Sequence, residues 1–267
     1  MKTMLDIYRA YFHVAVATQL QYRASGAIWM IWSVLEPVIY LVVWATVANE
    51  QGGAVQGFGP RDFAAYYMVL FVVNHLTFSW VMHDMQFRIQ FGHFSFALMR
   101  PVHPIHEDIC DNVAYKLVML AMTVPALIVL YVLFDPRFDT GWSAVLAFVP
   151  VLFTAFLMRF MFEWALALAA FWTTRVTALN QIYFSLLMFF AGRVAPIALL
   201  PPVLQAIAEK APFYYMVGFP VDVLLGHVSA DDLWAGIATQ LFWLAAAWLT
   251  VRLAWRRSAA QFSAVGT

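Results

Sequence analysis

The sequence predicts an all-α integral membrane protein that crosses the bilayer six times. Three observations predict it. Hydrophobic residues make up 64% of the chain and charged residues 11%, with a mean hydropathy of +0.76, whereas a soluble domain is roughly half apolar and a quarter charged. The apolar residues gather in runs of about 20, the length a helix needs to cross about 30 Å of hydrocarbon. The basic residues between those runs fall mainly on alternate connections.

Residues 4–22 come first. Asp6, Arg9 and His13 recur three and four apart, while Met4, Leu5, Ile7, Tyr8, Tyr11 and Phe12 cover the remaining surface. This spacing predicts an amphipathic helix in the cytoplasmic interface, a unit of residues 1–25; an N-terminal extension of the first span is the competing reading. Spans follow at 28–48, 63–82, 113–134, 142–171, 179–199 and 233–255. The first is interrupted only by Glu36-Pro37. A glycine-rich loop occupies 49–62, and Asp135-Pro136-Arg137 makes a short turn. The stretch 84–112 is long and polar, with Arg88, His93, Arg100, His103 and His106. Residues 172–178 form a second, shorter connection carrying Thr173, Thr174 and Arg175.

With the N-terminus inside, the cytoplasmic side receives Lys2, Arg9, Arg23, Arg88, Arg100, Lys116, Arg175, Arg252, Arg256 and Arg257. The outer side receives Arg61, Arg137, Arg193 and Lys210, and Arg159 falls within a span. Ten against four is a positive-inside bias, and two cytoplasmic ends require an even number of crossings. Acids and bases number 15 each, so net charge gives no sign of nucleic acid as a partner. The single cysteine, Cys110, excludes an intrachain disulfide.

Residues 196–226 are apolar but do not read as one helix. Pro196, Pro201-Pro202, Pro212 and Pro220 divide them, and Glu209-Lys210 sits in the middle. Each piece is too short to cross. The economical reading is a re-entrant helix pair dipping in from the outer face, where protein or a water-filled cavity covers the irregular backbone. A helix lying flat on the outer leaflet is the competing one.

The order of several short motifs resembles the membrane subunits of export-type ABC transporters, the ABC-2 class. Leu20-Gln21-Tyr22-Arg23 ends the interface helix, and Trp32-Ser33-Val34-Leu35-Glu36-Pro37 lies in the first span. Gly92 and then Leu98-Met99-Arg100-Pro101-Val102 lie in the first cytoplasmic loop. Phe171-Trp172 precedes the fifth span and Gly192-Arg193-Val194-Ala195-Pro196 ends it. Ala211-Pro212-Phe213-Tyr214-Tyr215-Met216-Val217-Gly218-Phe219-Pro220 then leads to Leu224-Leu225-Gly226. In a similar bacterial subfamily two related membrane subunits are often encoded beside one ATPase. The resemblance implies a single permease domain over residues 1–267 in the bacterial cytoplasmic membrane. Its partners are then two ABC ATPase subunits, a second permease (identical or homologous) and the lipid bilayer. No cofactor is expected in this chain; ATP and Mg belong to the ATPase partner. The residues agree on that point, because the only lysines are Lys2, Lys116 and Lys210, none preceded by glycine, so no phosphate-binding Gly-Lys pair is present. One six-helix unit has little room for an enclosed path, which independently favours a dimer.

The resemblance also implies a coupling helix at about 94–99, which makes Phe94, Ser95, Phe96, Leu98, Arg100 and Pro101 contacts for the ATPase, with Arg175 adding a smaller one. Pro101 disfavours helical backbone at Arg100, so a break is expected there on steric grounds. An ordinary solvated connector is the competing reading. Arg159 and Glu163 stand four apart in the fourth span, the spacing of an intrahelical pair; a pathway role and a packing role both stay open. Glu36 precedes a helix-kinking proline and has Arg159 or a partner chain to pair with, as a structural pair or as a residue of the dimer interface or gate. Phe213, Tyr214, Tyr215 and Phe219 are gate candidates in the re-entrant segment. His103, His106 and Glu107 invite a metal, but Pro104 breaks their spacing, and neither a metal site nor a catalytic residue is expected. A membrane-embedded lipid-modifying enzyme and an ATP-independent carrier are the alternative functions. The few charges and many aromatics suit an amphipathic or lipophilic substrate.

Overall fold

The computed structural model describes residues 3–173 and 175–261, Gln261 by its backbone only; Thr174, Lys2 and the last residues lie outside it. Regular structure among the described residues is helical. Thr3 caps α1 (Met4–Gln21), its hydroxyl accepting from the Asp6 amide while the Asp6 carboxylate accepts from the Thr3 amide at 3.0 Å, a reciprocal capping box. The chain turns at Tyr22 into α2 (Arg23–Glu50), which runs as one helix through Pro37. Next come α3 (Pro60–Thr77), α4 (Val81–Gln90), α5 (Phe94–Leu98) and α6 (Ile105–Phe134). They are followed by α7 (Trp142–Ala167), α8 (Ala170–Thr173) and α9 (Thr177–Phe190). A 3-10 turn at Ile197–Leu199 leads to α10 (Pro202–Ala208), α11 (Pro212–Met216), α12 (Gly218–Leu224) and finally α13 (Ala230–Gln261).

α3 is the axis of the core. Every residue from Phe63 to Phe71 is buried, as expected for a helix apolar on all faces, and α2, α6, α7 and α12 pack around it. α1 lies along the first turns of α6, where the Tyr8 hydroxyl stands 2.7 Å from His106 Nδ1. Its Leu5 and Val14 stay exposed.

Among the described residues five helical stretches are long and apolar enough to cross a membrane: Arg23–Glu50, Pro60–Gln90, Ile105–Phe134, Trp142–Thr173 and Ala230–Ala260. The expected fifth span, 179–199, differs. Its helix, α9, has 14 residues, about 21 Å at 1.5 Å per residue, short of about 30 Å of hydrocarbon. The stop is local. Gly192 adopts φ +76°, the left-handed conformation that ends helices and favours glycine. Its carbonyl accepts from the buried Tyr66 hydroxyl at 2.8 Å, and a Cβ there would strike that oxygen.

The polar stretch 84–112 also differs from its expected form as one long loop. Residues 84–90 belong to α4 and 105–112 to α6. Their polarity is spent inside the protein: Arg88 pairs with Asp108 at 2.6 Å, and the Trp164 indole donates to the other Asp108 oxygen at 2.8 Å. The remaining connector, residues 91–104, carries only α5. Lys116, placed by sequence among the cytoplasmic charges, is buried eleven residues into α6.

α7 and α13 run parallel. Gln240, ten residues into α13, donates to the Val151 carbonyl, nine residues into α7, at 3.3 Å; further along, the Trp164 and Trp255 rings stand 5.5 Å apart. The chain between them therefore travels back along their length. α9 makes most of that return, and residues 196–226 pack against α3, α7, α9 and α13, with Met216, Val217 and Phe219 buried. The Tyr215 carbonyl accepts from Gln240 at 2.9 Å, about 15 Å along α13 from Ala230. The Tyr183 hydroxyl, six residues into α9, donates to the Met216 sulfur at 3.6 Å. A flat outer helix does not describe residues 212–224, whereas α10, with Val203, Leu204 and Ile207 exposed, lies on the surface.

Candidate functional site

α2 packs on α3 and α6, whereas α9 packs on α10 and α11. Between α2 and α9 this leaves a cavity of about 900 Å³. Trp29 and Trp32 of α2 form one edge, Phe184 and Met188 of α9 the other, and Phe78 and Trp80 the floor. His83, Thr177 and Asn180 stand at the α9 N-terminal end. There α4 is fastened to α9: Asn180 Nδ2 lies 3.1 Å from His83 Nε2, and the Val176 amide donates to Gln86 Oε1 at 2.8 Å.

At the opposite end stands an ion pair. Arg193 Nη2 donates to both Glu36 oxygens, at 2.8 and 2.6 Å. Glu36 sits thirteen residues into α2 and Arg193 just past the Gly192 stop, so the pair marks where α9 ends. Of the two partners weighed for Glu36, Arg159 is therefore not the one found. Sequence reasoning placed Arg193 on the outer side and missed this pairing across 157 positions.

Behind the cavity floor lies a second charged group. Arg159 and Glu163 are fully buried and pair at 3.0 Å, the spacing of four their sequence predicts. Arg159 Nη1 also donates to Asn74 Oδ1 at 3.0 Å and to the Thr77 hydroxyl at 3.1 Å, and the guanidinium lies 5.3 Å from the centre of the Phe78 ring. Tyr183 donates to Glu163 Oε1 at 3.1 Å. Lys116 Nζ donates to the Phe78 carbonyl at 2.6 Å and to Asn112 Oδ1 at 3.1 Å. Both cations thus stand at the C-terminal end of α3, where the last carbonyls lack helical partners and the helix dipole is negative. Asn74 lines the cavity and holds Arg159 at once. Asn74 and Lys116 had no periodic signal, because each acts through partners distant in sequence.

The other gate candidates lie away from the cavity lining, and of them Phe213 alone reaches this group, through Tyr183. Phe213 packs on Tyr183, ring centres 6.1 Å apart. The Tyr214 hydroxyl donates to Asp222 at 2.8 Å and that of Tyr215 to the Glu209 carbonyl at 2.8 Å. The ring of Phe219 fills the space over Gly236.

In the connector of residues 91–104, α5 falls within the expected 94–99. Phe94 is buried against Phe171, ring centres 5.2 Å apart, and Leu98 is half-buried. Phe96 and Met99 are exposed, as are Phe87 and Phe91 beside them. Ser95 caps locally on the Gly92 carbonyl at 2.8 Å, Arg100 pairs with Glu107 at 2.6 Å, and Pro101 is exposed. Arg175 is exposed on the loop that Gln86 ties to α4; Thr174, its neighbour, lies outside the described residues. His103 sits 4.3 Å from the Trp255 ring centre, and burial, with His106 beside it, pushes its pKa down to about 4. The described residues contain no cluster of three metal-ligating side chains.

A family model described as ABC-2 family transporter protein matches residues 34–266. The chain belongs to the ABC-2 transporter family. No curated protein matches it. Membership makes the chain a transport permease and a multi-pass membrane protein. Membrane proteins of the ABC-2 family generally partner with ABC ATPases. The match begins within α2 of the permease, so α1 stands outside it.

Proposed function

We propose that this permease forms the translocation pathway of an ATP-driven exporter in the bacterial cytoplasmic membrane, paired with a second permease and served by two ATPase subunits. The observation that carries this reading is the physical continuity of the cavity with the cytoplasmic connector. α4 lines the cavity through His83, is pinned to α9 through Gln86, and leads directly into α5 with its exposed Phe96 and Met99. Buried Phe94, Leu98 and the Arg100–Glu107 pair hold that short helix rigid, with Ser95 and Pro101 bounding it and Arg175 on the adjacent loop. Movement of a docked ATPase is thereby passed to α4 and to the cavity floor. The Glu36–Arg193 pair closes the chamber toward the outside, and residues 196–226 form the re-entrant gate above the Arg159–Glu163 group. Six crossings with both ends cytoplasmic follow if α9 and the segment after it together make the fifth.

The test is reconstitution with an ABC ATPase from the same cell. The permease is expected to retain the ATPase through purification and to raise its turnover. F96A with M99A should lower that stimulation at least about tenfold, the size of losing about 1.4 kcal/mol, while the permease stays monodisperse. Transport that persists without ATP and follows an ion gradient would sink the exporter reading.

A further inference from the structure

A guanidinium carries five N–H donors, and Arg193 spends only Nη2, on both oxygens of Glu36. Nε and Nη1 have no partner among the described residues, and Arg193, itself largely buried, lines this end of the cavity. At the other end, Asn180 turns Nδ2 to His83 and leaves its buried Oδ1 without a partner. The two ends are separated by most of α9, about 20 Å. Between them the walls are indole and phenyl rings: Trp29 and Trp80 meet edge to face at 5.2 Å, with Trp32, Phe78 and Phe184 around them. The volume, about 900 Å³, lies at the upper end of small-ligand sites.

We propose that the cavity holds an elongated amphiphile by an anionic head, carboxylate or sulfonate in kind, which Arg193 takes at the nitrogens Glu36 leaves unused while Trp29, Trp32 and Trp80 hold the apolar body. This rests on the cavity being the permease's substrate chamber. Glu36 stays on Nη2, and its negative charge beside the head weakens the hold of Arg193 on it. A guanidinium recognises such heads through paired, charge-assisted hydrogen bonds. A cationic amphiphile would have the indole faces and Glu36, and that carboxylate is already engaged, whereas the anionic head meets an open guanidinium edge.

The test uses the full chain in nanodiscs and two probes with one body and opposite heads, pyrenebutyrate and a pyrenebutyl-trimethylammonium salt. Energy transfer from the cavity tryptophans to pyrene reports binding, with empty nanodiscs as background. Pyrenebutyrate should bind at least about tenfold more tightly than the ammonium probe, the difference about 1.4 kcal/mol makes. E36Q should tighten pyrenebutyrate binding, R193Q should abolish the preference, and R193K should keep part of it. The comparison of the two probes on the unaltered protein stands even if a variant fails to fold. Tighter binding of the ammonium probe, or an anion preference that survives in well-folded R193Q, overturns the head assignment and leaves the chamber reading standing. Saturable transfer from neither probe overturns both.

Discussion

Arg159 and Glu163 touch at one point, Nε to Oε1, while Arg159 Nη2 and Glu163 Oε2 have no partner among the described residues. Such a pair is costly to break on one side only. Removing one partner leaves a buried charge uncompensated, typically about 3–5 kcal/mol, whereas replacing both by apolar groups of similar volume is often neutral. R159M should therefore lose most of the permease's thermal stability, and R159M/E163L should recover most of the loss, as read from the monodisperse fraction after heating. If the double variant is as unstable as the single, the pair is not what Arg159 contributes. His103 gives a pH test. Its folded pKa, about 4, lies below the about 6.5 of an unfolded histidine. The stability tied to its neutral form is complete above about pH 6.5 and declines as pH falls toward 4, because the unfolded chain takes up the proton first. H103F should flatten part of that decline in a melting series from pH 7 to 4.

At the scale of elements, the joint between α3 and α4 shows what hydropathy reads and what it misses. The apolar run from Phe63 onward announced a span, and α3 is there. Nothing in the run marks Phe78-Ser79-Trp80 as a break, because its cause lies elsewhere: Lys116 on α6 donates to the Phe78 carbonyl, and Arg159 on α7 takes Thr77 and faces the Phe78 ring. The same distance in sequence hid Arg88 and Trp164 as the partners of Asp108 and turned half of an expected loop into helix. The hydrophobic pattern is local and was legible; the buried polar pairs are between elements and were not. A prediction follows for the joint. A hydrogen bond from a charged donor contributes about 1.5–3 kcal/mol, so K116M should speed amide exchange at residues 79–83 by about tenfold to a hundredfold. The amides in the middle of α3 should stay protected. Uniform loss of protection across α3 would instead mean that Lys116 supports the whole helix.

For the whole molecule the deciding question is how the chain returns between α7 and α13. Their parallel course places Ala167 and Ala230 at opposite ends of one helix pair, yet the helix that makes most of the return, α9, is only 14 residues long. The return is completed by backbone that proline and glycine keep from being one helix, packed between α3, α7 and α13 so that its polar groups meet protein. Tyr66, Tyr67 and Trp44 illustrate this: they donate to the carbonyls of Gly192 and Val194, the latter two both at 2.7 Å. A six-crossing molecule then exposes Arg175 and His227 on opposite sides, whereas a five-crossing one exposes them on the same side. Single cysteines at these positions, in a protein whose own Cys110 is buried, separate the two. R175C should react with an impermeant maleimide only after the membrane is opened from the cytoplasmic face, and H227C should react in intact cells. Labelling of both from the same face would remove the fifth crossing, and with it the reading of residues 196–226 as a gate reached from outside.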